Sequence, residues 1–369
     1  MSWSSLKRRI GVLVVGVLIA HLPAIGRAQN AEQIKFETFD QVELNGTWYP
    51  SSKGKKAAPI LLLHAIGSSS KHEGLVSLAK KLQAEGHAVL AFDFRGHGES
   101  VVVGRGFWDV RANQQYVKGY NVANPKTSID RKDFNPVYWP MLVNDIAAAR
   151  MVIDRKNDAG DCNSVNLMIV GVEDGATLGA FWLASEWNRY IVTTIDPFTN
   201  LPVKWESVPE GKRVVGCVWL SMASSIQRQP VVQLLTWLRT TGQEKRVPMA
   251  FLYGSKDGAA ANFAEKCYSV ITNTGKLKLE NTAHRAIRGT SASGANLLKE
   301  DLDTEKLIVA YINNIQQARS TADWKEVGAF SKGYVWVLPN KQPVVAKNPQ
   351  EQTLRPVPVQ SYGFPVSLQ

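Results

Sequence analysis

Five short apolar runs punctuate the chain: Pro59 to His64, Ala88 to Phe92, Val165 to Val170, Val214 to Leu220 and Pro248 to Tyr253. They are short and nearly free of polar alternation, the pattern of strands buried on both faces of a parallel sheet. Ahead of them, Ile34 to Phe39 and Val42 to Tyr49 alternate apolar and polar positions. That alternation predicts an antiparallel hairpin at a sheet edge. Between the runs the period becomes helical. Leu75, Leu78 and Leu82 share one face, with Gly86 placed to end the helix. Leu142, Ile146, Ala149 and Ile153 share another; Val231, Leu234, Leu235 and Leu238 follow Pro230; Ile308, Tyr311, Ile312 and Ile315 mark a last helix. Strand and helix in alternation predict an α/β fold, with a mostly parallel central sheet and helices on both faces.

Three segments break the alternation. Residues 101–138 are polar and aromatic, and residues 187–212 carry Pro197, Pro202 and Pro209. Both read as long loops near a ligand mouth. Residues 319–369 form a Pro-rich extension with too few periodic apolar positions to bury a core of its own. At the other end, Lys7, Arg8 and Arg9 precede the apolar run Ile10 to Ala20, and Gly26-Arg27-Ala28 offers small residues at a cleavage site. Residues 1–28 therefore read as a signal peptide, whose apolar run of eleven residues is too short to span a bilayer, and predict a secreted or periplasmic protein with no transmembrane span after cleavage. The organisation expected is signal peptide 1–28, a folded domain over 29–318 and the extension 319–369.

The net charge of +11 falls to +7 once 1–28 is removed, with no basic run longer than the Lys53/Lys55/Lys56 cluster. A nucleic-acid partner is not expected. Cys162, Cys217 and Cys267 are an odd number in a compartment that permits disulfides, so at most one bridge among them is expected. No metal-spaced cluster, GxGxxG or P-loop is present, and no cofactor is implied.

The chemistry should lie where loops leave the C-terminal ends of the strands. His64-Ala65-Ile66-Gly67 follows the first run, and Asp93-Phe94-Arg95-Gly96-His97-Gly98-Glu99-Ser100 follows the second. With these two loops, residues 34–318 resemble the α/β-hydrolase family, of the secreted esterase and serine-aminopeptidase-like kind. The first loop matches the family's His-Gly-x-x oxyanion loop, and the second its Asp-x-Arg-Gly-x-Gly-x-Ser loop. The resemblance implies a nucleophile elbow, G-x-S-x-G, between a strand and a helix. Here that turn reads Gly171-Val172-Glu173-Asp174-Gly175. Both glycines are in register, and Glu173 stands where the family has serine. The resemblance further implies Asp257 as the acid, in Gly254-Ser255-Lys256-Asp257, and His284 as the base, with the N–H groups of Ile66 and Asp174 as oxyanion donors.

Glutamate changes the chemistry. A carboxylate has no proton for a base to remove, and it is a weak nucleophile towards an ester. A helix N-terminus favours an anion, so the elbow should attract Glu173 itself into the place where negative charge must develop. The expectation is a self-satisfied cluster of Glu173, His284 and Asp257. Bland readings accompany the other residues: His64 fixes its own loop; Asp93, Arg95 and His97 are a packing network; Ser68 to Ser70 and Ser221, Ser224 and Ser225 are turn residues. Phe107, Trp108, Tyr116, Tyr120, Tyr138 and Trp139 either line a cleft or pack their loop. Three functions remain open. The first, which the residues favour, is a hydrolase homologue silent in catalysis that binds a small molecule or partner through the old cleft. The second is an active hydrolase of ester-like substrates that uses Glu173 as nucleophile or base. The third is an envelope protein that docks a protein partner through its C-terminal extension.

Overall fold

In the computed structural model the chain is described over residues 30–187, 190–195, 202–207, 209–227, 229–273, 280–319, 323–328, 334–337 and 355–358. The signal peptide expected over 1–28 lies outside these residues. In chain order the strands are β1 (Glu32–Glu37), β2 (Glu43–Tyr49), β3 (Pro59–Leu63), β4 (Ala88–Phe92), β5 (Leu167–Val172), β6 (Tyr190–Ile195), β7 (Pro202–Ser207), β8 (Val214–Leu220), β9 (Ser225–Ile226), β10 (Gln229–Pro230), β11 (Met249–Gly254), β12 (Ala283–Ile287), β13 (Tyr334–Val337) and β14 (Arg355–Pro358). The helices are α1 (Glu73–Ala84), α2 (Arg111–Tyr116), α3 (Val143–Asp158), α4 (Asp174–Trp187), α5 (Leu234–Leu238), α6 (Gly258–Thr272) and α7 (Thr304–Ala318).

The apolar runs become strands whose alternate residues enter two different cores. Leu61 and Leu63 of β3, Ile169 of β5, Trp219 of β8 and Phe251 of β11 point to one face of the sheet. Ile60 and Leu62, Met168 and Val170, Val218 and Leu252 point to the other. A strand covered on both sides has no polar face to show, which is why these segments lack alternation. The first core is closed by α3 through Ile146 and Ile153, by α4 through Leu178, Phe181 and Trp182, and by α6 through Cys267 and Ile271. The second is closed by α1 through Leu75, Leu78 and Leu82 and by α7 through Ile308, Ile312 and Ile315. Each fully buried Leu or Ile contributes about 1.5–3 kcal/mol relative to exposure.

The sheet has eight strands in the order β1-β2-β4-β3-β5-β8-β11-β12. The β1–β2 and β2–β4 pairs are antiparallel, and β4–β3, β3–β5, β5–β8, β8–β11 and β11–β12 are parallel. This is the mostly parallel sheet with an antiparallel N-terminal hairpin expected of the α/β-hydrolase fold. The order reverses at β3: the chain first builds outwards to β4, then returns past β3 to β5. That reversal opens a crevice at the C-terminal strand ends, the usual place for a ligand.

The interruptions differ from the expected loops. Residues 190–207 contain an antiparallel hairpin, β6 with β7, rather than a structureless loop. Residues 101–138 are built from short 3-10 turns and α2, and Phe107, Trp108, Tyr138 and Trp139 are buried in the first core. Those four aromatics pack the insertion onto the domain. All three cysteines are buried free thiols. Burial raises each above its usual range, Cys267 to about 12.

Candidate functional site

The turn from β5 into α4 passes through Glu173, whose φ is +47°. This left-handed turn is costly for a non-glycine residue and persists only where its surroundings impose it. The two flanking glycines show how. A Cβ on Gly171 would come within 2.5 Å of the Cα of Ala176, and one on Gly175 would run into the carbonyl oxygen of His64. The turn is therefore pressed between the start of α4 and the loop after β3. The Glu173 N–H donates to Leu220 O at 2.9 Å, and its carbonyl accepts from Ala176 N at 3.1 Å, which carries the chain from β5 into α4.

The Glu173 side chain faces a cavity of about 560 Å³, which is also lined by Asp174, Ser221, Met222, Ala223, Ser224, Ser225, Gln227, Asp257, Ala259, Ala260, Phe263 and Ser293. Ser293 Oγ donates to Glu173 Oε1 at 3.3 Å. The next residue, Gly294, has φ +58°, and a Cβ there would meet the same carboxylate oxygen. Gly294 N in turn donates to Ser221 Oγ at 3.0 Å. The loop that follows β12 is thus fastened to Glu173 through Ser293 and to the end of β8 through Ser221, while Gly294 leaves room for the glutamate.

Asp174 begins α4. Burial, with the charge of Glu173 beside it, pushes its carboxyl up to about 7. Asp257 caps α6: its Oδ1 accepts from Ala260 N at 3.1 Å. Its carboxylate reaches the cavity but already serves a helix N-terminus, as an N-cap does.

His284 is elsewhere. It is the second residue of β12, paired in register with Phe251 of β11, whereas Gly254 at the end of β11 pairs with Ile287. Three residues separate it from the strand end, roughly 10 Å. Its ring is exposed. Nδ1 shares a hydrogen bond with the Tyr253 hydroxyl at 3.3 Å, and the Tyr268 ring centroid lies 4.7 Å away. The expected Glu173–His284–Asp257 cluster does not form. Glu173 and Asp257 both line the cavity, and Glu173 bonds a serine from the loop after β12, not an imidazole. Among the described residues no histidine lines this cavity.

Of the two expected oxyanion donors, Asp174 lies in the cavity wall at the start of α4. Ile66 is half-buried against the first core, and its side chain and backbone are not part of that wall. His64 bolts the loop after β3. Nδ1 bonds the carbonyl of Ala65 at 2.8 Å and Nε2 accepts from Phe94 N at 3.0 Å. That pattern requires a neutral ring with the proton on Nδ1. Burial, then the neighbouring His97, brings His64 down to about 4.

The second loop is a buried network. Asp93 Oδ1 accepts from Ser70 N and Ser70 Oγ at 2.7 and 2.8 Å. The Arg95 guanidinium, fully buried, reaches Asp40 and Asp145, each at 2.7 Å, and the Tyr138 hydroxyl at 2.9 Å. Burial alone would raise both carboxyls. Arg95, Thr38 and Asn113 hold Asp40 below its usual range, while burial prevails at Asp145 and pushes it up to about 6. Among the described residues no group of three His, Cys, Asp or Glu side chains is arranged to hold a metal ion.

Sequence reasoning missed Ser293 and read Ser221 as a turn residue only. Ser221 does follow β8 in a turn, at φ +46°, but its hydroxyl also anchors the opposite loop. The signal available for Ser293 was the pair Ser293-Gly294, a polar residue beside a glycine shortly after the last sheet strand.

No protein-family model matches this chain. No curated protein matches it either. Among solved structures it is similar to an esterase of Pyrococcus furiosus, at 15% identity and a TM-score of 0.46 over 77% of this chain and 92% of that one. It is similar to an α/β hydrolase from Penicillium, at 12% identity and a TM-score of 0.46 over 79% of this chain and all of that one. It is also similar to a dienelactone hydrolase from Anabaena variabilis, at 13% identity and a TM-score of 0.43 over 80% and 96% of the two chains. The mostly parallel sheet, the helices on both faces and the antiparallel hairpin give this chain the α/β-hydrolase fold.

Proposed function

We propose that this chain is an exported α/β-hydrolase-fold protein that has no serine-type acyl transfer and uses the crevice at its elbow to bind a small polar molecule. The observation that carries the reading is the hydrogen bond between Ser293 and Glu173, in a cavity with no imidazole. A triad needs a nucleophile with a removable proton and a base within hydrogen-bond reach. Glu173 offers no such proton, and His284 is three residues down β12 from the strand end. The lining suits a ligand rich in hydroxyl or ammonium groups. It presents three carboxylic side chains and the hydroxyls of Ser221, Ser224, Ser225 and Ser293, with Met222 and Phe263 as its largest apolar surfaces. Export rests on the leader-like pattern of residues 1–28.

A second reading has its own observation. Asp174, raised to about 7 by burial and the adjoining Glu173, is a carboxyl suited to acid–base work near neutral pH. In that case Glu173 would act as a base on water. Hydrolysis of short-chain nitrophenyl esters by residues 29–369 separates the two. The binding reading requires the same background rate in the mature chain and in Glu173→Gln. A rate that falls in Glu173→Gln selects the second.

A further inference from the structure

The C-terminal extension has a seat on its own domain. After α7, residues 323–328 settle on the C-terminal end of α3. Trp324 Nε1 donates to Asn157 O at 3.1 Å, Asn157 Nδ2 donates to Lys325 O at 2.9 Å, and Val327 N donates to Asp158 Oδ1 at 2.8 Å. Lys55, in the turn between β2 and β3, holds its Nζ 3.7 Å from the centre of the Trp324 ring. Val327 is buried. The seat is rigid on the domain side, because Asn157 Oδ1 is held by Ser164 N at 2.8 Å.

Beyond the seat, β13 lies against α3 and pairs antiparallel with β14, and β14 lies against β6 of the inserted hairpin. Both β6–β7 and β13–β14 are sheets of two strands. A two-stranded hairpin is marginal in water by itself and needs another surface to lean on. We propose that the described parts of the extension, residues 323–328 with β13 and β14, act as an intramolecular strap: seated on α3 through Trp324, with β14 against β6, they tie the inserted hairpin to the body of the domain. The partner of the extension is then this chain itself. The hairpin follows the C-terminal end of α4, the end opposite the elbow, so the strap steadies the insertion and leaves the cavity lining untouched.

Hydrogen–deuterium exchange on the mature chain tests this with two substitutions. Trp324→Ala removes the ring and its N–H donor. Lys55→Ala removes only an exposed cation, so it decides the matter if Trp324→Ala does not fold. The expected result is severalfold faster exchange at 334–337 and also at 190–195 and 202–207, larger for Trp324→Ala than for Lys55→Ala. Amides of β3 and β5 stay at wild-type rates. Acceleration confined to 323–337, with the β6–β7 hairpin unchanged, would overturn the proposal. So would wild-type exchange throughout.

Discussion

Ser293 Oγ and Glu173 Oε1 lie 3.3 Å apart, the hydroxyl of the loop after β12 donating to the carboxylate of the elbow. The contact puts a hydroxyl, not an imidazole, beside Glu173. A serine can donate to a carboxylate, but it cannot act as the base that a triad needs. The turn is left-handed at Glu173, and its side chain fastens the neighbouring loop.

It follows that a serine placed at position 173 creates no acyl-transfer activity. Glu173→Ser should remain at the background rate on nitrophenyl esters, because no histidine lines the cavity to deprotonate it. It should also stay unlabelled by a fluorophosphonate. Burst labelling of that variant would mean that a base reaches the elbow after all.

Gly294 should tolerate no side chain while Glu173 is present. Alanine there must adopt φ +58° and place its Cβ against the Glu173 carboxylate. The backbone and steric costs together should be about 1–3 kcal/mol, read as a drop in the denaturant midpoint. Glu173→Ala should recover the steric part in the double variant, giving a coupling that independent sites would not show.

The pH dependence of stability carries the signature of Asp174. Its folded value, about 7, is raised above the unfolded carboxyl. Between the two values the folded state holds a proton that the unfolded state has lost, so stability falls as pH rises from about 4 to about 7 and then levels. Asp174→Asn removes this slope. The stability of that variant minus wild type should therefore grow across this window and stay constant above it. A difference that is flat from pH 4.5 to 8.5 would show that Asp174 titrates normally.

Arg95 should be far more sensitive than any cavity residue. Arg95→Met leaves Asp40 and Asp145 facing each other, both fully buried. Removing one partner from a buried ionic cluster costs about 3–5 kcal/mol. The expected outcome is a large fall in the unfolding midpoint, partly offset at low pH as Asp145 takes up a proton.

What could be read from the sequence was local. The elbow's register follows from Gly171 and Gly175, because no other residue fits against Ala176 and His64. The central strands announce themselves as apolar runs because both faces are covered. β12 gave no such sign: it is an edge strand with only Ile287 buried, so Ala-His-Arg-Ala resembles a loop. His284, which the resemblance implies as the base, lies inside this strand. The β6–β7 hairpin was hidden for a similar reason, since a two-stranded unit flanked by prolines lacks the pattern of a core strand. α6 was not anticipated either; its buried face is only Ala264, Cys267 and Ile271, a sparse stripe among alanines.

The most direct test of the central claim is the rate of nitrophenyl ester hydrolysis by the mature chain, measured beside Glu173→Gln and His284→Ala. The account requires all three to run at one background rate. A wild-type rate well above both variants would place Glu173 and His284 in one working site and contradict it.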